Sequence, residues 1–388
     1  MRRWRSLGLL ETITLEPRQN GLRRANASLR AAKVGWAGLT LALLGAHTQP
    51  VAASPWTLPK GFAVVTAGFD YQLADSEFLE SGGPHRFPLR GQFTGSTISF
   101  DGRLGVSDRF ELEASLPLRL VSYTSDPVIL MPQPAESPQS ALDYYQENVI
   151  DFSKSGQGVG DLQLAGRYQF LAHPIALATE LRIKAPTGYR GPEGTFGPEP
   201  KTLEEFAAAQ SELVRPAKVA DDVTLGDAQL DVSAQLLVGA SFSSGTFVRA
   251  GGGYKLRLGG AADQVLADLR AGQSIGDAFL VYAGAELAYS IERGAVVGIT
   301  ASSVDPGLPA KDYVGDSNIV LVERRLEADW LNVRGGLIAK ITPDFELNVG
   351  YARTVWGKNV AATNDVSFSL ALHLDAGADE SAEASQEE

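Results

Sequence analysis

From residue 62 onward the chain repeats one pattern, apolar and polar side chains alternating with period two over segments of about 10–19 residues. The clearest case is 365–375, DVSFSLALHLD. There Val366, Phe368, Leu370, Leu372 and Leu374 share one face, and Ser367, Ser369, Ala371 and His373 the other. In 278–292, Phe279, Val281, Leu287, Tyr289 and Ile291 oppose Tyr282, Gly284, Glu286 and Ser290. In 158–170, Leu162, Leu164, Tyr168 and Phe170 oppose Asp161, Gln163, Arg167 and Gln169. A helix repeats every 3.6 residues and cannot hold such a pattern on one face. The pattern predicts twelve strands, at 62–71, 94–104, 110–121, 158–170, 175–186, 224–242, 246–258, 264–275, 278–292, 325–341, 345–356 and 365–375. The stretch 325–341 changes phase near Trp330 and Leu331, which predicts a bulge or a displaced start.

The connections carry the topology. Those after strands 2, 4, 6, 8 and 10 are short and rich in turn residues, as in Gly276-Asp277 and Thr342-Pro343-Asp344. Those after strands 1, 3, 5 and 9 are long: 72–93, 122–157, 187–223 and 293–324. Every long connection therefore falls at one end of the strand array, the asymmetry of a transmembrane barrel with short periplasmic turns and long outer loops. Phe110, Phe170, Phe242, Phe279 and Phe345 stand at strand ends beside the short turns, where an interfacial girdle belongs. The fold expected is all-β: an antiparallel up-and-down transmembrane β-barrel of about 12 strands. In loop 187–223, TLEEFAAAQSELV (202–214) predicts a short helix with Thr202 as N-cap and Glu205 completing a capping box. It either folds into the barrel mouth or covers the rim.

Residues 34–46, VGWAGLTLALLGA, form an apolar run too short to span a bilayer but suited to a signal peptide. Arg30 and Lys33 precede it, and Val51, Ala52 and Ala53 offer a cleavage site before Ser54. Residues 1–53 are thus expected to be a signal peptide with an extended or misassigned start, 54–375 the barrel, and 376–388 an acidic disordered tail. The leader holds 8 of the 34 Lys and Arg and 2 of the 46 Asp and Glu, so the remainder carries a net charge near −18. That balance argues against nucleic acid as a partner. The chain has no Cys, hence no thiolate nucleophile and no Cys-ligated metal. Its four His form no metal-spaced cluster, and no G-x-S-x-G elbow occurs, so no catalytic residue, metal or cofactor is assigned.

The polar faces carry the candidate chemistry. Lumen-lining candidates are Asp161, Arg167, Glu180, Arg182, Lys184, Asp231, Arg249, Lys255, Arg257, Arg270 and Glu286. With Arg103, Arg119, Arg334, Lys340, Asp101, Glu111, Glu113, Asp227, Asp268 and Glu346 added, 11 bases face 10 acids. Near balance predicts ion-pair networks across the lumen rather than strong ion selectivity. Arg182, Lys184, Arg249, Lys255 and Arg257 are expected to form a basic stripe in the outer half.

Four runs, GVGDLQLAGRYQF (158–170), LRIKAPTG (181–188), TLGDAQLD (224–231) and GGGYKLR (251–257), occur in an order that resembles an outer-membrane transporter-like family labelled "putative meta-pathway of phenol degradation". The matching positions are Gly158, Gly160 and Asp161; then Lys184, Pro186, Thr187 and Gly188; then Gly226 and Asp227. The resemblance implies an outer-membrane barrel and a transport role, and brings no catalytic residues. The family pattern expects a terminal aromatic residue, whereas here the last strand ends near Leu374 and an acidic tail follows.

Together these features predict a channel for passive passage of small, hydrophobic or aromatic solutes in the cell outer membrane, with loops 122–157 and 187–223 gating the mouth. Its partners would be outer-membrane lipid and lipopolysaccharide, the barrel-insertion machinery and a small-molecule solute. A closed structural or adhesive barrel and a soluble periplasmic all-β binding protein are the alternatives.

Overall fold

A computed structural model describes residues 54–375 apart from 80–82, 88–89, 127, 130–148, 151–152, 195–198, 200, 212–222 and 304–318. The expected leader (1–53), the acidic tail (376–388) and most of loop 122–157 lie outside the described residues.

Twelve strands form one closed antiparallel wall. They are β1 (Phe62–Ala74), β2 (Gln92–Ser107), β3 (Phe110–Thr124), β4 (Leu162–Leu171), β5 (Ala176–Ala185), β6 (Leu230–Ser241), β7 (Thr246–Leu258), β8 (Gln264–Ile275), β9 (Phe279–Ser290), β10 (Asp329–Lys340), β11 (Phe345–Lys358) and β12 (Asn364–Asp375). Each pairs with its neighbours in sequence, and β1 closes on β12 from Phe62↔Asp375 to Leu73↔Asn364. Closure leaves no edge, so the backbone donors and acceptors at membrane depth are matched by other strands. Strands of ten to sixteen residues suffice to cross the hydrocarbon layer at a tilt.

The alternation sorts cleanly between the two faces. Phe100, Leu116, Leu164, Leu181, Leu236, Leu269, Val281, Phe368 and Leu370 are exposed on the outside. Arg103, Glu111, Arg167, Glu180, Asp231 and Arg249, from the alternate positions, are buried inside. Greasy outside and charged inside inverts the arrangement of a water-soluble protein and fits a lipid-covered wall. Phe170, Phe242, Phe279 and Phe345 are also exposed, at the short-turn end.

Three sequence expectations are corrected. The sixth strand begins at Leu230, not residue 224, because Ala228 takes a left-handed conformation (φ 55°) that breaks the extended run. The tenth begins at Asp329, because Ile319–Arg325 pairs with Val296–Ser303 in a separate hairpin. The fourth is broken: Lys154–Val159 pairs with the upper part of β3, then the chain bends through Gly160 and Asp161 into β4. A Cβ on Gly160 would lie 2.8 Å from Arg119 Cδ, so the bend needs a residue without one. The phase change near Trp330 comes from the displaced start, since the wall strand begins only at Asp329; the bulge in this ladder falls on the partner strand. The ladder pairs Leu331 with Trp356 and Asn332 with Thr354, leaving Val355 of β11 as the bulged residue.

The expected capping box is present on α1 (Leu203–Ser211). The Glu205 amide donates to Thr202 Oγ1 at 3.1 Å, and the Glu205 carboxylate accepts from the Thr202 amide at 3.4 Å. The helix does not take the constricting placement: Leu203, Glu204 and Ala207 are exposed, and α1 lies beside the Ile319–Arg325 strand.

Residues 54–60 precede β1 and turn back into the barrel at the short-turn end. Ser54, Trp56, Thr57 and Leu58 are all buried. Trp56 packs with Ala176, Phe247, Leu280, Tyr282 and Ile338 on the inner wall.

Burial of a cation in lipid sets the first prediction. Leu269, midway along β8 and 55% exposed, faces the bilayer core. Leu269→Arg should cost about 2–4 kcal/mol, read as a lowered urea midpoint for unfolding from lipid vesicles. An unchanged midpoint would mean that no lipid covers this face.

Candidate functional site

The lumen contains three groups of charged side chains, each placed by strand register. The first lies near the short-turn end. Glu111 and Glu113 of β3, Arg167 of β4 and Glu180 and Arg182 of β5 point inward at neighbouring levels, because Glu111 pairs with Arg167 and Arg167 with Glu180. Arg103 of β2 joins them. Its guanidinium donates two 2.8 Å hydrogen bonds to Glu111, a forked contact. Arg167 donates to Glu111 at 2.9 Å and to Glu180 at 2.7 Å, and Arg182 reaches Glu180 at 3.0 Å and Glu113 at 2.8 Å. Three arginines thus face three glutamates with almost no solvent exposure. Such a network fills space and fixes geometry more than it stabilises, since desolvation offsets most of the attraction.

The buried segment 54–60 is tied to this network. The Leu58 amide donates to Glu111 at 2.8 Å, and Gln169 donates through its side-chain amide to the Pro55 carbonyl at 2.9 Å. Thr57 Oγ1 lies 3.2 Å from both the Asp108 carbonyl and Gln169 Oε1. The obstruction at this end is a tethered stretch of chain, held by a few hydrogen bonds and one indole ring.

The second group lies at the long-loop end and collects the motif residues. Lys184 Nζ lies 3.2 Å from Asp161, 2.5 Å from Asp227 and 3.0 Å from Asp231. Arg257 of β7 pairs with Asp227 and, at 3.4 Å, with Asp231. Tyr189 donates its hydroxyl hydrogen to Asp161, and Thr187 donates to the Val159 carbonyl at 2.8 Å. Gly188 has φ 96°, which lets the chain leave β5 after Pro186 and turn back across the opening. The residues before β6 then dip inward: Arg119 donates to the Leu225 carbonyl, and Leu225 packs beside Gly158. A Cβ on Gly226 would strike the Tyr189 hydroxyl. The three motif pieces, over 60 residues of chain, therefore form one latch over segment 223–229. Burial works to raise the Asp227 carboxyl, but Lys184 and Arg257 outweigh it and hold it below its ordinary range. Burial and the Asp161 carboxylate push the Tyr189 phenol up.

The third group spans β7 to β10. Glu286 accepts from Arg334 at 2.6 Å and lies 3.6 Å from Arg270, whose guanidinium also sits 5.2 Å over the Tyr282 ring. Arg249 pairs in register with Arg270 and is buried. Lys255 donates to Gln264 at 3.1 Å.

Of the lumen candidates, Arg167, Glu180, Arg182, Asp231, Arg249 and Arg257 are buried, but the expected basic stripe does not exist. Arg249 lies near the short-turn end of β7, away from Lys255 and Arg257, and Arg182, Lys184 and Arg257 are neutralised by carboxylates from adjoining strands and the 223–229 loop. Counting charges along single strands could not show pairing between strands. Two inward carboxylates escaped the sequence reading, Asp70 of β1 and Asp365 of β12. Asp70 sits in the weakly alternating run GFDYQL, and Asp365 stood at the first position of the strand as expected from sequence.

Two expectations follow from the networks. Arg167→Met leaves three buried glutamates facing two arginines and should cost about 3–5 kcal/mol, measured by urea unfolding; a loss under 1 kcal/mol (roughly the worth of a surface pair) would mean the network is solvated. For the latch, the Asp227 contribution is complete above the ordinary carboxylate range and is lost as pH falls through its depressed value. Asp227→Asn should mimic acid at neutral pH. In a Leu225→Cys background, possible because the chain has no other Cys, maleimide labelling should accelerate about tenfold. Equal labelling rates with and without Asp227→Asn would show that the ion pairs hold nothing shut.

No known family profile matches this chain, and no curated protein matches it in sequence. Among solved structures it is similar to an outer membrane channel from Pseudomonas putida F1, with a TM-score of 0.52 and 14% identity over 84% of this chain and 100% of that one. A mutant of the TodX monoaromatic hydrocarbon channel gives a TM-score of 0.38 at 11% identity, over 82% and 91% of the two chains. The KdgM porin gives 0.37 at 4% identity, over 79% and 98%. The last two scores carry no weight. The first shows the fold: a twelve-stranded barrel of the outer-membrane type.

Proposed function

We propose that the protein is an outer-membrane channel for passive passage of small solutes, apolar or aromatic ones included. The observation that carries this reading is the make-up of the obstruction. The wall is a closed lipid-facing cylinder, and much of what blocks its ends consists of two tethered segments, 54–60 and 223–229. A purely structural barrel gains nothing from blocks that can be displaced without breaking the wall. Trp56 occupies an inner apolar niche formed by Phe247, Leu280 and Tyr282, and a solute ring of similar size fits the same surface once the segment withdraws.

The solved Pseudomonas protein is itself described as an outer membrane channel, which supports the same role. The motif resemblance to the family labelled for phenol degradation points to aromatic solutes, and the niche around Trp56 suits them. In this reading residues 1–53 direct export, and insertion machinery places the barrel among outer-membrane lipid and lipopolysaccharide. No enzymatic role is assigned.

The test is conductance in planar bilayers and swelling of proteoliposomes, comparing the full chain with a variant lacking residues 54–60. The intact barrel should conduct weakly, and the deletion should raise conductance severalfold. Phenol or toluene should reduce the current through the intact barrel, and more strongly after Trp56→Ala, which leaves the niche free. A folded, heat-modifiable barrel that stays silent in both forms would support a closed structural role instead.

A further inference from the structure

The charged groups of the lumen are distributed unevenly. On the wall from β2 to β7, Arg103, Arg167, Arg182, Lys184 and Arg257 are matched to carboxylates at hydrogen-bond distance. On the wall where β1 meets β12, two inward carboxylates, Asp70 and Asp365, have no ion-pair partner within 4 Å among the described residues. Register places them side by side: Asp70 pairs with Ser367, and Asp365 with Gln72.

They face open space. A cavity of about 30 Å³ is lined by Asp70, Asp365, Ser367, Arg334, Tyr282 and the small wall residues Gly350 and Ala352. Its volume fits one or two water-sized occupants. The space exists because Gly336 and Gly350 stand opposite each other on β10 and β11, where side chains would collide with the Tyr282 hydroxyl and Ser367. Asp365 is 7% exposed, yet its Oδ1 has no hydrogen-bond donor, and Oε1 of the adjacent Gln72, 3% exposed, has none either. Buried acceptors without donors are rare and each calls for an occupant. Arg334 borders the cavity and its charge acts on both carboxylates, but it makes no ion pair with either; its Nη2 is engaged with Glu286 at 2.6 Å on the side of β9.

Resting on the channel reading above, we propose that Asp70 and Asp365, with Ser367 and Gln72, form a site for a small monovalent cation, inorganic or the ammonium group of a solute. The site sets the ionic preference of the passage. Hard oxygen donors suit such a cation, and a pair of carboxylates at a narrow point is a known route to cation selectivity. The paired charges on the opposite wall contribute little to that preference because they are neutralised where they stand. Near equality of acids and bases in the lumen therefore does not make the passage unselective: what counts is the charge left without a partner.

Two measurements test this together. In bilayers under a tenfold KCl gradient, the wild type should favour K⁺ over Cl⁻ by about threefold or more. Asp70→Asn with Asp365→Asn should bring that ratio close to unity, whereas Asp277→Asn in an exposed short turn should leave it unchanged. Substituting ethylammonium for K⁺ separates the sources. Retained cation preference shows that an ammonium group is accepted, and its loss restricts the site to inorganic ions. Independently of conduction, crystals soaked in thallium(I) should show anomalous density between Asp70 and Asp365, absent from the double variant. Current without cation preference, or a preference that survives the double substitution, overturns the proposal, as does wild-type crystal density without thallium at this position. Thallium bound in a barrel that carries no current would instead overturn the channel reading and leave the cation site standing.

Discussion

A peptide group in hydrocarbon has no water to bond, so the backbone must satisfy itself. Everything else in this molecule is arranged around that constraint. It requires β12 to return to β1 along their full length, and it turns the two-residue repeat of a strand into an inside and an outside. Once lipid takes the outer face, residues such as Leu269 and Phe368 need no partner from the protein. The inner face must then supply its own solvent, and twelve strands leave only a narrow lumen in which to do so.

The chain fills that lumen mostly with itself. Arg103, Arg167 and Arg182 against Glu111, Glu113 and Glu180 occupy the section near the short turns, and segment 54–60 adds an indole and a backbone amide to the same region. At the other end Lys184 gathers three aspartates from different parts of the chain. Wall and filling differ in kind. The wall is held by ladder hydrogen bonds along whole strands, whereas each filling segment is held by a handful of side-chain contacts. Motion is therefore cheapest in the filling, which places any opening of the passage there rather than in the strands.

Strand positions were legible because side-chain polarity reports directly which face meets lipid. β7 and β8 begin and end where the alternation does, and β12 differs by a single residue. Alternation is silent about backbone twist, however. TLGDAQLD continues the period through Asp227 and Gln229, yet Ala228 has already left the extended region, so Asp227 reaches the lumen from a loop. Arg325 reads as part of a wall strand and instead belongs to a hairpin beyond it. Segment 54–60, SPWTLPK, has no period at all, and its two prolines suggest a linker; only the niche between Phe247 and Leu280 reveals why it is buried. Which charges find partners depends on register between strands, and a single strand does not encode it.

The latch at the long-loop end has a further consequence, for assembly. Its charges come from the bend before β4, from β5, from the loop ahead of β6 and from β6 and β7 themselves. A growing sheet that lacks any one of these strands lacks a charge the others need. The mouth therefore cannot be sealed until that half of the cylinder is in place and in register.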